Sequence, residues 1–156
     1  RLDVKREQIL FEPIIDETFS QLSFATPSGK AVEKIISIQQ DKPFYCDRWR
    51  LKVILNNIIS NAIRYRNGRD PVIKVVVNVT QEGAQVRIED NGKGIAKEHI
   101  KHVCRMFYRA TDDGAGSGLG LYIVKEAVDK LNGSIKIDSE EGKGTTVQLL
   151  IPEVAA

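Results

Sequence analysis

Between Val72 and Thr80, six of nine residues are Val or Ile, and a second β-rich run, Ala84 to Glu89, follows across Glu82-Gly83. β-branched residues favour pleated, half-buried strands, and a Gly-containing turn between two such runs predicts a hairpin. A chain built round an antiparallel hairpin is neither a helical bundle nor a strictly alternating βαβ fold. A second hairpin is predicted around Glu141-Gly142, from Ser134 to Ser139 and Thr145 to Ile151. Arg1 to Phe11 reads as an entering strand, and Val32 to Ile38 as another.

Helices fill the intervals. Pro13 suits the first turn of a helix reaching Leu22, which Thr26-Pro27-Ser28-Gly29 breaks. Lys42-Pro43 reads as a turn, and Asp47 as the N-cap of a helix from Arg48 to Tyr65. Leu51, Ile54, Leu55, Ile58, Ala62 and Ile63 recur there at helical spacing. Asn67-Gly68 is the predicted stop. A short helix is expected near Lys97 to Cys104, and another from Gly120 to about Leu131, capped by Asn132-Gly133. The expected fold is α+β: a two-layer sandwich with helices on one face of a mixed, mostly antiparallel sheet.

At 156 residues the chain suits a single domain, here 1–156, with its core at about 10–152. Hydrophobic residues are 42% and charged residues 28%, a globular balance. No apolar run approaches the roughly 18 residues that cross a bilayer. The net charge of +2, with scattered Lys and Arg, argues against nucleic acid. Cys46 and Cys104 lack CxxC partners, which disfavours a disulfide framework or zinc site and predicts a cytoplasmic setting. His99 and His102 do not by themselves make a metal site. The first residue is Arg, so a longer parent protein is expected.

Three stretches carry chemistry. Asn57 and Asn61, four apart, share a helix face with Arg64 and Tyr65 nearby. Amide oxygens there can satisfy backbone or ligate a hard cation such as Mg²⁺. Asp90-Asn91-Gly92-Lys93-Gly94 follows a strand, where a carboxylate can accept from an exocyclic amine such as adenine N6 or simply cap a turn. Gly116-Ser117-Gly118-Leu119-Gly120-Leu121 leads into a helix, whose free N–H groups suit phosphate. It is neither the GxGxxG dinucleotide fingerprint nor a P-loop, which lacks its Gly-Lys-Ser/Thr ending here. Phe107 to Asp113 is polar and Gly-flanked, as in a lid.

In this order and spacing these stretches resemble the catalytic and ATP-binding domain of sensor histidine kinases, in the GHKL superfamily with gyrase B, MutL and heat-shock chaperone ATPases. Leu55 to Tyr65 is similar to the N box, Asp90 to Ile95 to the first glycine box, and Phe107-Tyr108-Arg109 to the end of the F box. Gly116 to Leu121 is similar to the second glycine box, and Gly142-Lys143-Gly144-Thr145 to the third.

The resemblance implies a Bergerat fold that binds ATP with Mg²⁺. Asn61 would hold the metal, with Asn57 assisting. Arg64, where the family usually has Lys, and Tyr65 would meet the phosphates and the nucleotide, with Asn57 and Arg64 the implied catalytic residues. Asp90 would bind the adenine amine, supported through water by Thr145, and Gly92 and Gly94 would leave room for the base. Ile95, Phe107, Arg109, Gly116, Ser117, Gly118, Leu119, Gly120 and Leu121 would complete the site, with the glycines cradling phosphate. Cys104 departs from the Phe that usually starts the F box, and the lid from Ala110 to Ala115 is short.

The related ATPases carry Glu where this chain has Asn57, and an amide is no base toward water. The implied activity is therefore phosphoryl transfer to a His on a dimerisation hairpin outside the chain, since neither His99 nor His102 fits that role. A response regulator receiver domain would follow, and the parent would be a homodimer, with an inner-membrane anchor left open. The alternatives are an anti-sigma-type serine kinase and a non-catalytic ATP-sensing module.

Overall fold

The computed structural model describes residues 3–22, 32–105 and 120–156. Seven strands and four helices occur in these segments: β1 Glu7–Ile9, α1 Phe11–Leu22, β2 Glu33–Gln39, β3 Phe44–Cys46, α2 Arg48–Arg64, β4 Val72–Thr80, β5 Gly83–Asp90, α3 Lys97–Ile100, α4 Gly120–Lys130, β6 Ser134–Glu140 and β7 Gly144–Ile151. Five strands make one sheet in the order β2-β4-β5-β7-β6. Only β2 and β4 run parallel; the other pairings are antiparallel. β1 and β3 form a separate antiparallel pair.

Alternation along the strands sets the two layers. Ile73, Val75 and Val77 of β4, Ala84, Val86 and Ile88 of β5, and Val147, Leu149 and Ile151 of β7 are buried in one core with α1, α2 and α4. Each fully buried Ile or Leu contributes roughly 1.5–3 kcal/mol relative to exposure. Lys74, Gln85, Arg87, Gln148 and Lys136 occupy the opposite, exposed face. On that face Arg87 and Glu89 pair at 2.6 Å. The α+β sandwich read from the sequence is the fold observed.

α2 forms where its periodicity predicts. Asp47 caps it by accepting from the Arg50 N–H at 3.1 Å. The same carboxylate, fully buried, pairs with the Arg50 guanidinium at 2.7 Å and accepts from the Lys5 N–H at 3.0 Å. Arg50 also donates to the Asp3 carbonyl at 2.8 Å. Arg6 donates to the Val154 carbonyl at 3.1 Å, so both ends of the described chain meet near β3.

Four boundaries differ from the sequence reading. The entering strand shrinks to Glu7–Ile9, because Asp3 and Lys5 are bound to the Asp47–Arg50 pair and Phe11 already begins α1. β3 was missed, since three residues show no period. α3 is a single turn because none of its residues is buried, leaving no apolar face to extend it. α2 ends at Arg64 with Tyr65 as its C-cap, one residue short of the predicted end, where the Tyr65 carbonyl is taken by the Lys93 N–H at 2.8 Å. After α4, the left-handed residue is Asn132 at φ 60°, and Gly133 donates back to the Val128 carbonyl. The predicted break at Thr26 to Gly29 lies outside the described residues.

Removing Asp47 should be severe. Asp47→Ala leaves the buried Arg50 cation without its counter-charge and α2 without its cap. A loss of about 3–5 kcal/mol is expected in urea unfolding, with partial recovery in Asp47→Ala/Arg50→Met. A loss under about 1 kcal/mol, the worth of an exposed pair, would refute this role.

Candidate functional site

Three elements of the fold converge on one region: the C-terminal half of α2, the loop after β5, and the start of α4. In α2, Asn57 donates its side-chain N–H to the Val53 carbonyl at 2.7 Å. That bond leaves its Oδ1 as the remaining polar atom. A Cβ built on Gly120 would lie 3.6 Å from Asn57 Oδ1 and 3.4 Å from both amide atoms of Asn61. Both amides therefore face the N-terminus of α4, where unsatisfied N–H groups favour anions. Asn61 is half-buried, and its amide has no hydrogen bond among the described residues.

Two neutral amide oxygens are hard donors that suit Mg²⁺ when phosphate oxygens supply the charge. No cluster of three or more His, Cys, Asp or Glu that could hold a metal occurs among the described residues. The donor set fits a metal that arrives with an anionic ligand.

Asp90 ends β5, a strand flanked on both sides, facing Ile73 in β4 and Thr145 in β7. Its Oδ1 accepts from the Gly92 N–H at 2.8 Å and the Thr145 N–H at 3.3 Å. Its Oδ2 has no partner among the described residues. Burial raises the carboxyl above its ordinary value of 3.8, against those two N–H groups, which lower it. One oxygen is thus fixed by the backbone, and the other keeps its lone pairs for a donor.

The glycines of this loop are explained by the chain itself. A Cβ on Gly92 would lie 2.6 Å from the Tyr65 carbonyl oxygen and 2.9 Å from Asp90 Oδ1. Gly94, at φ +72°, would drive a Cβ into the Glu140 carbonyl. The space read from the sequence as room for a base is, at both glycines, room for neighbouring backbone. Gly142 donates to the Lys93 carbonyl at 2.6 Å, closing the same contact.

Thr145 meets Asp90 across the β5–β7 ladder. Its backbone N–H reaches Asp90 directly, while its hydroxyl lies 2.8 Å from that of Ser139. Ser139 accepts from the Ile95 N–H at 2.7 Å, which ties the loop to β6. Sequence reasoning missed Ser139. The register of the last hairpin pairs it with Thr145 and was the available signal. It also missed Asn91, whose Oδ1 accepts from the Val72 N–H at 2.9 Å and holds the loop to β4.

Of the remaining predicted residues, Arg64 is exposed, and Tyr65 and Leu121 are half-buried at the edge of the region. Cys104 is half-buried, and burial raises its thiol. Phe107, Arg109, Gly116, Ser117, Gly118, Leu119 and the predicted lid lie outside the described residues.

Residues 46–155 match the family described as histidine kinase-, DNA gyrase B-, and HSP90-like ATPase. The chain is 37% identical over 150 residues to the sensor protein kinase PmrB of Pseudomonas aeruginosa, covering 92% of this chain and 31% of that protein. It is 36% identical over 118 residues to the sensor histidine kinase YvrG of Bacillus subtilis, covering 74% of this chain and 20% of that one. The chain thus spans a third or less of the length of these relatives. Among solved structures it resembles the mycobacterial sensor histidine kinase MprB, with TM-score 0.79 and 23% identity, covering 97% of this chain and 100% of that one. That similarity establishes the fold.

Asp90's raised carboxyl has a consequence for the unliganded protein. A group whose folded value is raised favours the folded state while protonated, and that contribution fades as pH rises through the folded value. Wild type should therefore lose stability relative to Asp90→Asn as pH climbs from about 3.8 toward neutrality. Parallel urea titrations across this range measure it. A wild type that gains on Asp90→Asn with rising pH would contradict the burial argument.

Proposed function

The chain belongs to the histidine kinase-, DNA gyrase B-, and HSP90-like ATPase family, and from that premise we propose that it is the ATP-binding catalytic domain of a sensor histidine kinase. It would form one unit, with its core at about 10–152. It would transfer the γ-phosphoryl of ATP to a His on a dimerisation hairpin outside this chain. The observation that carries the nucleotide reading is Asp90, with Oδ1 fixed by two backbone N–H groups and Oδ2 open. A fixed carboxylate accepts from adenine N6 and repels the O6 of guanine, so the site discriminates bases.

The phosphate end follows from α2 and α4. Asn57 and Asn61 meet the N-terminus of α4, where phosphates would lie along the helix axis. Mg²⁺ bound by Asn61, with Asn57 beside it, would supply charge neutralisation for transfer. Asn57 itself takes no proton from water, and its N–H is committed to Val53. The site holds and orients ATP and leaves the nucleophile to another segment. Arg64 and Tyr65 would steady the nucleotide from the end of α2.

The sensor kinases among the relatives support this reading over a serine kinase or a non-catalytic sensor. A receiver domain of a response regulator would take the phosphoryl group next, and the parent would act as a homodimer. No helix among the described residues is long and apolar enough to cross a membrane.

Two experiments test the proposal. Asp90→Asn should weaken ATP binding by about 1–3 kcal/mol in calorimetry, because a donor then faces the adenine amine. Equal wild-type affinity for ATP and GTP would remove Asp90 from the site. Separately, the chain alone should hydrolyse ATP slowly and acquire no label from γ-labelled ATP. Adding the hairpin should produce acid-labile label on the hairpin, and Asn61→Ala should abolish most of it while changing nucleoside affinity less. Brisk hydrolysis by the chain alone would favour an ATPase, and acid-stable label on an added protein a serine kinase.

A further inference from the structure

Ser139 stands at the centre of a hydrogen-bond network beside Asp90. Its oxygen has three neighbours: the Ile95 N–H at 2.7 Å, the Gly144 carbonyl at 2.9 Å and the Thr145 hydroxyl at 2.8 Å. A serine hydroxyl has one proton and two acceptor positions. The Ile95 N–H can only donate, so it takes one acceptor position. The Gly144 carbonyl can only accept, so it takes the proton. If that proton turned to Thr145, two oxygens would face each other at 2.9 Å with no hydrogen between them. The remaining position of Ser139 is an acceptor, and the Thr145 hydroxyl must donate into it.

The proton count has a consequence at Thr145. With its only hydroxyl proton spent on Ser139, Thr145 Oγ1 keeps lone pairs alone. Beside it, Asp90 is pinned through Oδ1 by the Thr145 N–H, and its free Oδ2 is also an acceptor. We infer that Ser139 is a specificity-determining positioning residue: by consuming the Thr145 hydroxyl proton it makes the base end of the site present acceptors only, which selects a purine bearing an amine at C6 over one bearing a carbonyl there. This rests on the proposal that the Asp90 region holds the base of a nucleotide. In that site a free Thr145 hydroxyl would be a leak in the discrimination. It would rotate and donate to a guanine or hypoxanthine O6. Ser139 closes the leak without touching the ligand.

The test compares affinities of ADP, GDP and IDP for the full chain, by calorimetry and by competition against a fluorescent ADP analogue. Ser139→Ala should lower the ADP:GDP and ADP:IDP affinity ratios about fivefold, the size of one neutral hydrogen bond, chiefly by tightening GDP and IDP. Ser139→Thr, which keeps a hydroxyl, should hold the ratios near wild type. In a Thr145→Val background, Ser139→Ala should leave the ratios unchanged, because no hydroxyl remains to be freed. Ser139→Cys replaces Ser139→Ala if the alanine variant does not fold, since a thiol is a weak donor and acceptor. ADP and GDP weakening together at constant ratio would overturn the inference and leave Ser139 a structural tie. A ratio change that persists in the Thr145→Val background would overturn it too. A wild type that prefers ADP, loses that preference in Asp90→Asn and keeps it in Ser139→Ala sinks this inference alone. A wild type with no preference for ADP sinks the nucleotide reading along with it.

Discussion

A buried ion pair at the start of α2 holds the rest in place. Asp47 and Arg50 sit one turn apart, almost wholly out of water, at 2.7 Å. Charges taken into a protein interior carry a desolvation cost of several kcal/mol each, offset only when every donor and acceptor is used. Here Asp47 accepts from the Arg50 and Lys5 backbone N–H groups as well as the guanidinium. Arg50 in turn grips the Asp3 carbonyl. The pair therefore does three jobs. It caps α2, sets the axis of the helix that carries Asn57 and Asn61, and binds the incoming chain to the body.

The proposed base end of the candidate site is assembled differently, from strand backbone. Asp90, Thr145 and Ser139 lie on the neighbouring strands β5, β7 and β6, and their relative positions follow from ladder register. Backbone N–H groups are the most rigid donors a fold can offer, and two of them converge on one carboxylate oxygen. Burial nonetheless makes the Asp90 charge unfavourable in the empty protein. A ligand N–H reaching the open Oδ2 would offset part of that cost.

Much of this was legible in the sequence, and the reasons differ from element to element. α2 could be read almost whole because an N-cap and apolar residues recurring at helical spacing from Leu51 to Ile63 are local signals that tertiary packing reinforces. The hairpins were legible because β-branched runs and their turns lie together in sequence. β3 was not legible: three residues have no period, and the strand exists because β1 arrives from the far side of α1. Gly92 and Gly94 were read as glycines, but their purpose was not, because the atoms that exclude a Cβ belong to Tyr65 and Glu140, distant in sequence. Ser139 escaped for the same reason. An alternating polar residue on an edge strand looks solvated until the register sets it against Thr145.

The two ends of the site belong to different layers, and one hydrogen bond joins them. The proposed base end sits on the sheet, and the proposed phosphate end on α2 and α4. Left alone, helix and sheet layers slide against each other, because apolar packing is non-directional. The Tyr65 carbonyl, just past the last turn of α2, accepts from the Lys93 N–H at 2.8 Å, in the loop that follows Asp90. Gly92 has no side chain in order to let that carbonyl approach. The helix therefore ends at Arg64, one residue before the carbonyl that meets the loop. The distance from the amides at the phosphate end to the carboxylate at the base end is set by this contact, which explains why α2 stops at Arg64 although Asn67-Gly68 stands ready to stop it later.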